Sequence, residues 1–202
     1  MGLATVANQS ITFFDTQFQK QVASSEFALN PFEKATLPFV HGRVLDLGCG
    51  LGNLCIEAAR NGAEVVAVDA SETAVRRIRE SAAAHNLRIE PVLADLSTYA
   101  IAGEFDTIVA IGLLMFFNRA RAIALLDEIQ THVAVNGRAI INVLTEGTTY
   151  MGMFEPGRYY LFGRNELEER FTGWDILMSS HDSFDAPKNT IKEFATIVAR
   201  KG

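Results

Sequence analysis

Three glycines alternate with other residues in the segment Asp46-Leu-Gly-Cys-Gly-Leu-Gly, between an apolar run and a segment of helical periodicity. Glycine adopts positive φ angles, and because it lacks a Cβ it lets a ligand lie against the backbone. The free N–H groups at the start of the helix that follows attract electron-rich ligand atoms. We therefore expect Gly48, Gly50 and Gly52 to form a ligand-binding turn.

Two aspartates follow the next two apolar runs. Asp69 lies about twenty residues beyond the glycine loop, where a carboxylate can accept hydrogen bonds from both hydroxyls of a ribose. Asp95 follows the third run and is placed to meet an adenine edge. A single aspartate at a strand end is more often a cap, but a glycine loop and two acids at three successive strand ends predict a nucleoside site. The dinucleotide pattern GxGxxG would need a third glycine where Asn53 stands, so a nicotinamide cofactor is disfavoured.

Apolar runs alternate with helix-period segments from residue 44 to 144, which is typical of parallel strands joined by helices. This region supplies five strands, and its helices include one from Arg119 to Val133. Two more strands are predicted at 174–178 and 191–199, ending in a hairpin. The sequence thus predicts an α/β fold: a Rossmann-like, doubly wound sheet of seven strands, mostly parallel with an antiparallel C-terminal strand, and helices on both faces.

The 202 residues, with 49% hydrophobic content, are enough for one domain with a substantial core. Within this single domain, residues 1–40 are rich in phenylalanine and contain two prolines, so we expect a helical lid there. Residues 41–145 would form the cofactor-binding core. Residues 146–202 would form a segment on the substrate side and the C-terminal hairpin.

The segment from Val44 to Asn53, VLDLGCGLGN, resembles motif I of the class I S-adenosylmethionine-dependent methyltransferases, and the resemblance extends over residues 40–145. It implies that Asp46 and the loop from Gly48 to Gly52 contact the methionine part of the cofactor, and that Asp69 holds the ribose. The residues implied to bind S-adenosyl-L-methionine lie at or near strand ends: Asp46, Gly48, Cys49, Gly50, Gly52, Asp69, Ala70, Asp95, Leu96 and Ile111.

The second half of the chain is similar to the tellurite-resistance methyltransferase family. The similar stretches read LLMFFNRARA, NELEERFTGWDIL and FATIVARK. The chain departs from that family at two places: Asn53 stands where the family has an arginine, and His181-Asp182-Ser183 stands where it has a His-Arg pair. The size and acidic charge of the chain, with only residues 1–40 and 145–190 left to enclose an acceptor, favour a small molecule.

Transfer of a methyl group from a sulfonium needs a nucleophile held in line with the methyl carbon, so most of the acceleration can come from orientation. A base helps a thiol or hydroxyl acceptor, and His181, expected in a loop, is of the residue type best suited to that role. Arg158 could pair with a substrate oxyanion or carboxylate, and Tyr150 could line the acceptor pocket. These three residues are the predicted catalytic set. Aromatic side chains expected either in a water-poor pocket or in the core are Phe116, Phe117, Tyr150, Phe154, Tyr159 and Tyr160.

The formal net charge of −6 disfavours binding to the phosphates of nucleic acid. The only dense basic cluster, formed by Arg76, Arg77 and Arg79, is expected to be a solvated helix face. The two cysteines, Cys49 and Cys55, fit neither a CxxC nor a zinc-binding spacing, so we expect no metal and a reducing, cytoplasmic setting.

The N-terminal residues lack the basic and apolar regions of a secretory signal, and the longest apolar run is shorter than the roughly 20 residues of a membrane span. We therefore expect no membrane partner. We also expect a monomer or homodimer. The predicted function is methyl transfer from S-adenosylmethionine to a small thiol, hydroxyl or chalcogen oxyanion such as tellurite or selenite. Two alternatives remain open: a non-catalytic S-adenosylmethionine-binding module and, more weakly, a nicotinamide oxidoreductase.

Overall fold

A computed structural model describes residues 9–202 of the chain. Six α-helices and seven strands are formed by the described residues, in the chain order α1 Gln9–Ser24, α2 Pro31–Thr36, β1 Arg43–Leu47, α3 Asn53–Arg60, β2 Glu64–Asp69, α4 Glu72–His85, β3 Ile89–Leu93, β4 Phe105–Ile111, α5 Arg119–His132, β5 Val133–Leu144, α6 Glu166–Arg170, β6 Asp175–Ala186 and β7 Thr190–Arg200.

The seven strands form one sheet in the order β3-β2-β1-β4-β5-β7-β6. The strands β1 to β5 pair in parallel, whereas β7 pairs antiparallel with both β5 and β6. The strand order reverses at β1 and β4, where an open parallel sheet forms a crevice outside the carboxyl ends of its strands. The predicted Rossmann-like sheet, mostly parallel with an antiparallel C-terminal strand, is confirmed.

Helices cover both faces of the sheet because neighbouring residues of each strand point to opposite sides. In β1, Leu45 is buried in the cluster that contains Leu125 and Ile129 of α5. Val44, the preceding residue, is buried with Leu54 of α3 and with α4 on the other face. The near-continuous apolar runs of the sequence therefore correspond to strands that are buried on both sides.

Side-chain caps fix the starts of the helices that follow the strands. The Ser71 hydroxyl accepts a hydrogen bond from the Ala74 amide at 3.1 Å, and Asn118 accepts one from the Arg121 amide at 3.0 Å. Such caps satisfy N–H groups that have no partner inside the helix. The expected stop after α3 is also present, since α3 ends at Arg60 and Gly62 has a φ of 97°.

The C-terminal elements are longer than predicted. The strand β5 begins at Val133, so α5 ends one residue earlier than expected, and Asn136 with its φ of 63° lies inside the strand as an irregularity. The strand β6 continues to Ala186 because it pairs with β7 as far as Ala186 and Thr190. Its residues 179–183, SSHDS, are all polar because an edge strand is largely exposed, and they therefore resemble a loop in sequence.

None of the helices within residues 9–202 is long and apolar enough to cross a membrane.

The central strand β5 offers a test of where the core lies. Ile140 is fully buried between the sheet and the helices, whereas Val135 of the same strand is 70% exposed. We expect Ile140→Ala to lower the free energy of unfolding by about 2 to 5 kcal/mol through lost burial and a residual cavity. The control Val135→Ala should change it by less than about 0.5 kcal/mol. Urea unfolding of both variants makes the comparison, and equal losses would contradict the assigned core.

Candidate active site

A cavity of about 430 Å³ lies at the carboxyl ends of β1, β2 and β4. Its volume falls in the range of small-molecule sites. The glycine loop between β1 and α3 forms its floor, and the helices α1 and α2 cover it. The crevice predicted at the edge of the sheet is therefore a real, partly covered cavity.

The glycine loop requires its glycines for conformation and for close packing. Gly48 and Gly52 have φ angles of 68° and 76°, which residues with a side chain rarely adopt. A Cβ on Gly48 would lie 2.9 Å from Leu113, and one on Gly52 would lie 2.5 Å from Ile78. Gly52 thus shapes the turn without lining the cavity.

Asp69 joins the two loops that border the cavity. Its carboxylate accepts hydrogen bonds from the amide of Gly50 at 2.9 Å and from the amide of Ser71 at 2.8 Å. Burial raises the pKa of this carboxyl, and these backbone hydrogen bonds act in the opposite direction. Each carboxylate oxygen retains a further acceptor position, so Asp69 can organise the loops and still accept hydrogen bonds from a ligand.

Two further acids, Asp46 and Glu33, line the cavity. Asp46 is buried at the end of β1, and burial, with smaller contributions from the charges of Glu33 and Asp69, raises its pKa to about 8. Burial also raises the pKa of Glu33, which accepts a hydrogen bond from the Asn30 amide at 2.7 Å. Acids that are costly to ionise in an empty site favour a positively charged ligand, which lowers that cost.

The N-terminus of α3 leaves donors available at the cavity. Its N-cap residue, Gly52, provides no side-chain hydrogen bond to the first turn. Asn53 lines the cavity and donates to the carbonyl of Ala28 at 3.2 Å, but its Oδ1 atom is buried without a hydrogen-bond partner in the part of the chain described. The site therefore offers N–H donors at the start of α3.

The helix α1 covers the cavity with one face. Phe14, Gln17 and Phe18 lie in the cavity wall, and a Cβ on Gly50 would lie 3.3 Å from the ring of Phe18. The neighbouring Asp15 accepts a hydrogen bond from the Ser71 hydroxyl at 2.5 Å, which lowers the pKa of Asp15. The hydroxyl that caps α4 thus also anchors the covering helix.

Nine of the ten residues implied to bind the cofactor line this one cavity, and only Gly52 does not. Asp95 is exposed at its rim, where its carboxylate accepts a hydrogen bond from the Ser97 amide at 2.8 Å. Cys49 is buried, and burial raises the pKa of its thiol well above the ordinary value, which disfavours the nucleophilic thiolate.

The three predicted catalytic residues do not line the cavity. His181 lies in the strand β6 rather than in a loop, because β6 pairs with β7 through this position, and its Nε2 atom is 2.7 Å from the carbonyl oxygen of Arg164. Arg158 is exposed and pairs with Glu155 of its own loop at 3.6 Å. Tyr150 packs beside a separate cluster, with the ammonium of Lys192 over its ring at 4.8 Å.

The aromatic residues divide into two groups. Phe116 and Phe117 line the cavity, and Phe14 of α1 meets Phe116 edge-on with ring centroids 5.0 Å apart. Phe154 packs behind Phe116 at 5.2 Å, and Tyr159 stacks on Phe154 at 5.0 Å. The other expected residue, Tyr160, donates a hydrogen bond to Glu166 away from the cavity. No described residue of the segment 146–202 lines the cavity.

Sequence reasoning missed Glu33 and the individual residues of α1. The pattern Asn30-Pro-Phe-Glu33 is a capping box, with reciprocal hydrogen bonds that the structure contains. That pattern predicts the start of α2 but not its position above the glycine loop, which depends on tertiary packing. The basic cluster also differs from expectation: Arg76 and Arg79 are exposed, but Arg77 lies over the ring of Phe27 at 3.8 Å and donates to the carbonyl of Leu51.

Comparisons with known proteins agree with this geometry. Residues 44–137 match the family described as a methyltransferase domain. The chain is 32% identical over 165 residues to the probable S-adenosyl-L-methionine-dependent methyltransferase TehB of Haemophilus influenzae strain 10810, an alignment of 79% of this chain. That alignment spans only 57% of the length of the relative.

Solved structures share the fold. The crystal structure of TehB from Haemophilus influenzae superposes with a TM-score of 0.74 at 25% identity, over 94% of this chain and 67% of that one. A 1,6-didemethyltoxoflavin-N1-methyltransferase from Burkholderia thailandensis, solved with S-adenosylhomocysteine bound, gives a TM-score of 0.65 at 21% identity, over 100% and 93% of the two chains.

The fold and the site define a class I S-adenosylmethionine-dependent methyltransferase, and the chain belongs to that class. S-adenosylmethionine is the cofactor of the class. Within it, the similarity in sequence and in fold to the Haemophilus proteins makes the chain one of the TehB-like type.

The raised pKa of Asp46 predicts a pH-dependent stability. A carboxyl whose pKa is raised on folding from its ordinary 3.8 to about 8 binds more protons in the folded state across that window, so its contribution to stability falls as the pH rises. We compare Asp46→Asn, which retains Glu33, with the wild type, both without cofactor. The stability of the variant minus that of the wild type should increase from pH 6 to pH 9. The gain should be at least about 1.4 kcal/mol, the equivalent of one pKa unit. Urea unfolding at both pH values measures it, and a difference that does not change with pH would contradict the assignment.

Proposed function

We propose that the chain transfers a methyl group from S-adenosylmethionine to a small-molecule acceptor. The observation that carries this proposal is the convergence of the glycine loop, Asp46, Asp69 and Asp95 on one covered cavity at the carboxyl edge of the sheet. The alignment covers only 57% of the length of the Haemophilus relative. The proposed activity therefore rests on the residues of this chain.

The residues of the cavity fit the cofactor. Asp69 has acceptor positions for the two ribose hydroxyls, and Asp95 lies at the rim where an adenine edge can be met. Asp46 and Glu33 suit the ammonium of the methionine part. The uncapped first turn of α3 suits its carboxylate.

When bound, S-adenosylmethionine supplies a methyl group on a positively charged sulfur. The chain contributes orientation and a water-poor environment, which can account for much of the acceleration of an in-line displacement. The helix α1 covers the cavity with Phe14 and Phe18, while Phe116 and Phe117 form an apolar wall beside the glycine loop. These residues hold an acceptor close and exclude water.

A protein base at the acceptor remains a prediction. Among residues 9–202, no histidine, lysine or arginine side chain lines the cavity. For His181, Tyr150 or Arg158 to act on the acceptor, the segment that carries each would have to move toward the cavity. We therefore propose that orientation outweighs base catalysis, so substitution of His181 should cost far less activity than substitution of Asp69.

The remaining expectations stay proposals. We propose a small-molecule substrate, a cytoplasmic setting, and a monomer or homodimer. We also propose that the N-terminal segment forms the lid of the cavity; of the predicted lid, 1–40, residues 1–8 lie outside the described part of the chain. The candidate acceptors are thiols, hydroxyls and chalcogen oxyanions.

The assignment predicts that Asp69 controls cofactor affinity. Asp69→Ala removes a carboxylate that would bind the ribose and that holds both loops, and each hydrogen bond to a charged group contributes about 1.5 to 3 kcal/mol. We expect calorimetric titration to show affinity for S-adenosylmethionine at least about 100-fold weaker than in the wild type.

The control for this titration is Asp185→Ala, an exposed aspartate of β6 outside the cavity. It should bind the cofactor as the wild type does. Absence of binding by the wild type, or equal binding by both variants, would overturn the proposed function. Release of S-adenosylhomocysteine in the presence of small thiols and phenols then separates an enzyme from a non-catalytic binding module.

The lid proposal predicts a local effect of the cofactor on proteolysis. Trypsin can cleave after Lys20, which is exposed on α1, and after Lys188, which is exposed in the β6–β7 turn far along the chain. Cofactor should slow cleavage after Lys20 because ligand binding suppresses local opening of the covering helix, and should leave cleavage after Lys188 unchanged. Mass spectrometry of timed digests measures both sites, and equal protection at the two would contradict a lid formed by α1.

A further inference from the structure

The charged side chains in the cavity wall all carry the same sign. They are the acids Glu33, Asp46, Asp69 and Asp95. The wall contains no arginine, lysine or histidine within residues 9–202, and residues 1–8, MGLATVAN, contain none of these types either. Acids without a positive partner favour cationic or neutral ligands and repel anions.

Two arginines lie behind the cavity wall and donate to backbone carbonyls of its residues Leu51 and Leu96. Arg77 donates to the carbonyl of Leu51 from the outer side of the glycine loop, with its guanidinium over Phe27. Arg121 donates to the carbonyls of Leu96 and Tyr99 and forms an ion pair with Glu128 at 2.8 Å. Neither is free to receive an anionic group in the cavity.

Three backbone amides at the start of the glycine loop are also engaged. The amides of Gly48 and Cys49 donate to the carbonyl of Val68 at 2.8 and 3.2 Å, and the amide of Gly50 donates to Asp69. We assign the first turn of α3, which has no side-chain cap, to the carboxylate of the cofactor. An oxyanion acceptor would then meet neutral donors such as Gln17 and Gln21 but no cationic side chain of residues 9–202, and hydrogen bonds from cationic donors are the strong ones.

The rest of the wall is apolar and aromatic. Ile11, Phe14, Leu113, Phe116 and Phe117 line it, and the rings of Phe14 and Phe116 meet at 5.0 Å. Burying an apolar ring or chain against such a surface is favourable, whereas removing water from an inorganic anion is costly where no side chain of the wall supplies a counter-charge.

We propose that the methyl acceptor is an uncharged thiol or hydroxyl carried on an apolar, ring-sized group, and not an inorganic oxyanion. This inference rests on the proposed function. The acceptor sulfur or oxygen forms a bond to the methyl carbon as the bond from that carbon to the sulfonium breaks. The electron pair of the broken bond stays on the departing sulfur, and the proton of the acceptor passes to water. The products are the methylated acceptor and S-adenosylhomocysteine.

The test compares two thiols that differ in charge and in apolar surface. Benzyl mercaptan is apolar, and 2-mercaptoethanesulfonate carries a permanent negative charge, while the thiol of each is mostly protonated at pH 7. Calorimetric titration into the full chain saturated with S-adenosylhomocysteine measures binding without turnover. We expect benzyl mercaptan to bind at least about tenfold more tightly, and to be methylated by the S-adenosylmethionine complex faster than tellurite or selenite.

A charge introduced at the mouth of the cavity provides a second readout. Gln17 is exposed on α1 and lines the cavity, so Gln17→Arg can add a cation without disturbing the core, and Gln17→Met is the uncharged control of similar length. The arginine variant should bind 2-mercaptoethanesulfonate at least about fivefold more tightly than the methionine variant, with no such gain for benzyl mercaptan.

The outcomes separate this inference from the proposed function. Failure of the wild type to bind S-adenosylmethionine would overturn the proposed function. If the wild type binds the cofactor normally, three results would overturn the inference alone. They are tighter or equal binding of the sulfonate, faster methylation of tellurite or selenite, and no methylation of benzyl mercaptan.

Discussion

The site depends on one carboxylate that holds two loops together. Asp69 accepts hydrogen bonds from the amides of Gly50 and Ser71, so the loop after β1 and the loop after β2 are fixed relative to each other. Ser71 in turn caps α4 and anchors Asp15 of the covering helix. Floor, rim and cover of the cavity are therefore linked through a few hydrogen bonds at the edge of the sheet.

Burial gives this edge a second property. Asp46 and Glu33 are held where ionisation is costly, and both pKa values are raised. Such groups gain most when a cation arrives, since the cation repays part of the cost of removing the charge from water. The cofactor-free protein thus holds acidic groups that a positively charged ligand would stabilise, at some cost to its own stability at high pH.

Much of this could be predicted from the sequence because its signals are local. The glycine turn, the acids at strand ends and the alternation of strands and helices depend on neighbouring residues. Nine of the ten residues that the sequence suggests for the cofactor line one cavity. The C-terminal third was less predictable, since the exposed edge strand β6 has the polar composition of a loop. The sequence therefore predicts a loop around His181, whereas the structure places His181 in the strand β6.

The contribution of α1 and α2 could not be predicted residue by residue. Their sequences indicate helices with aromatic positions, but the contact of Phe14 with Phe116 and the position of Glu33 beside Asp46 join segments that are distant in the chain. Long-range packing of this kind decides the shape and charge of the cavity. It also determines which acceptors the cavity can admit.

The most direct test of the account is a crystal structure of the protein with S-adenosylhomocysteine. The account predicts the adenosine in the cavity, with its ribose hydroxyls within hydrogen-bond distance of Asp69 and its amino-acid part beside Asp46 and the start of α3. A compound bound elsewhere, or an empty cavity at saturating concentration, would contradict it.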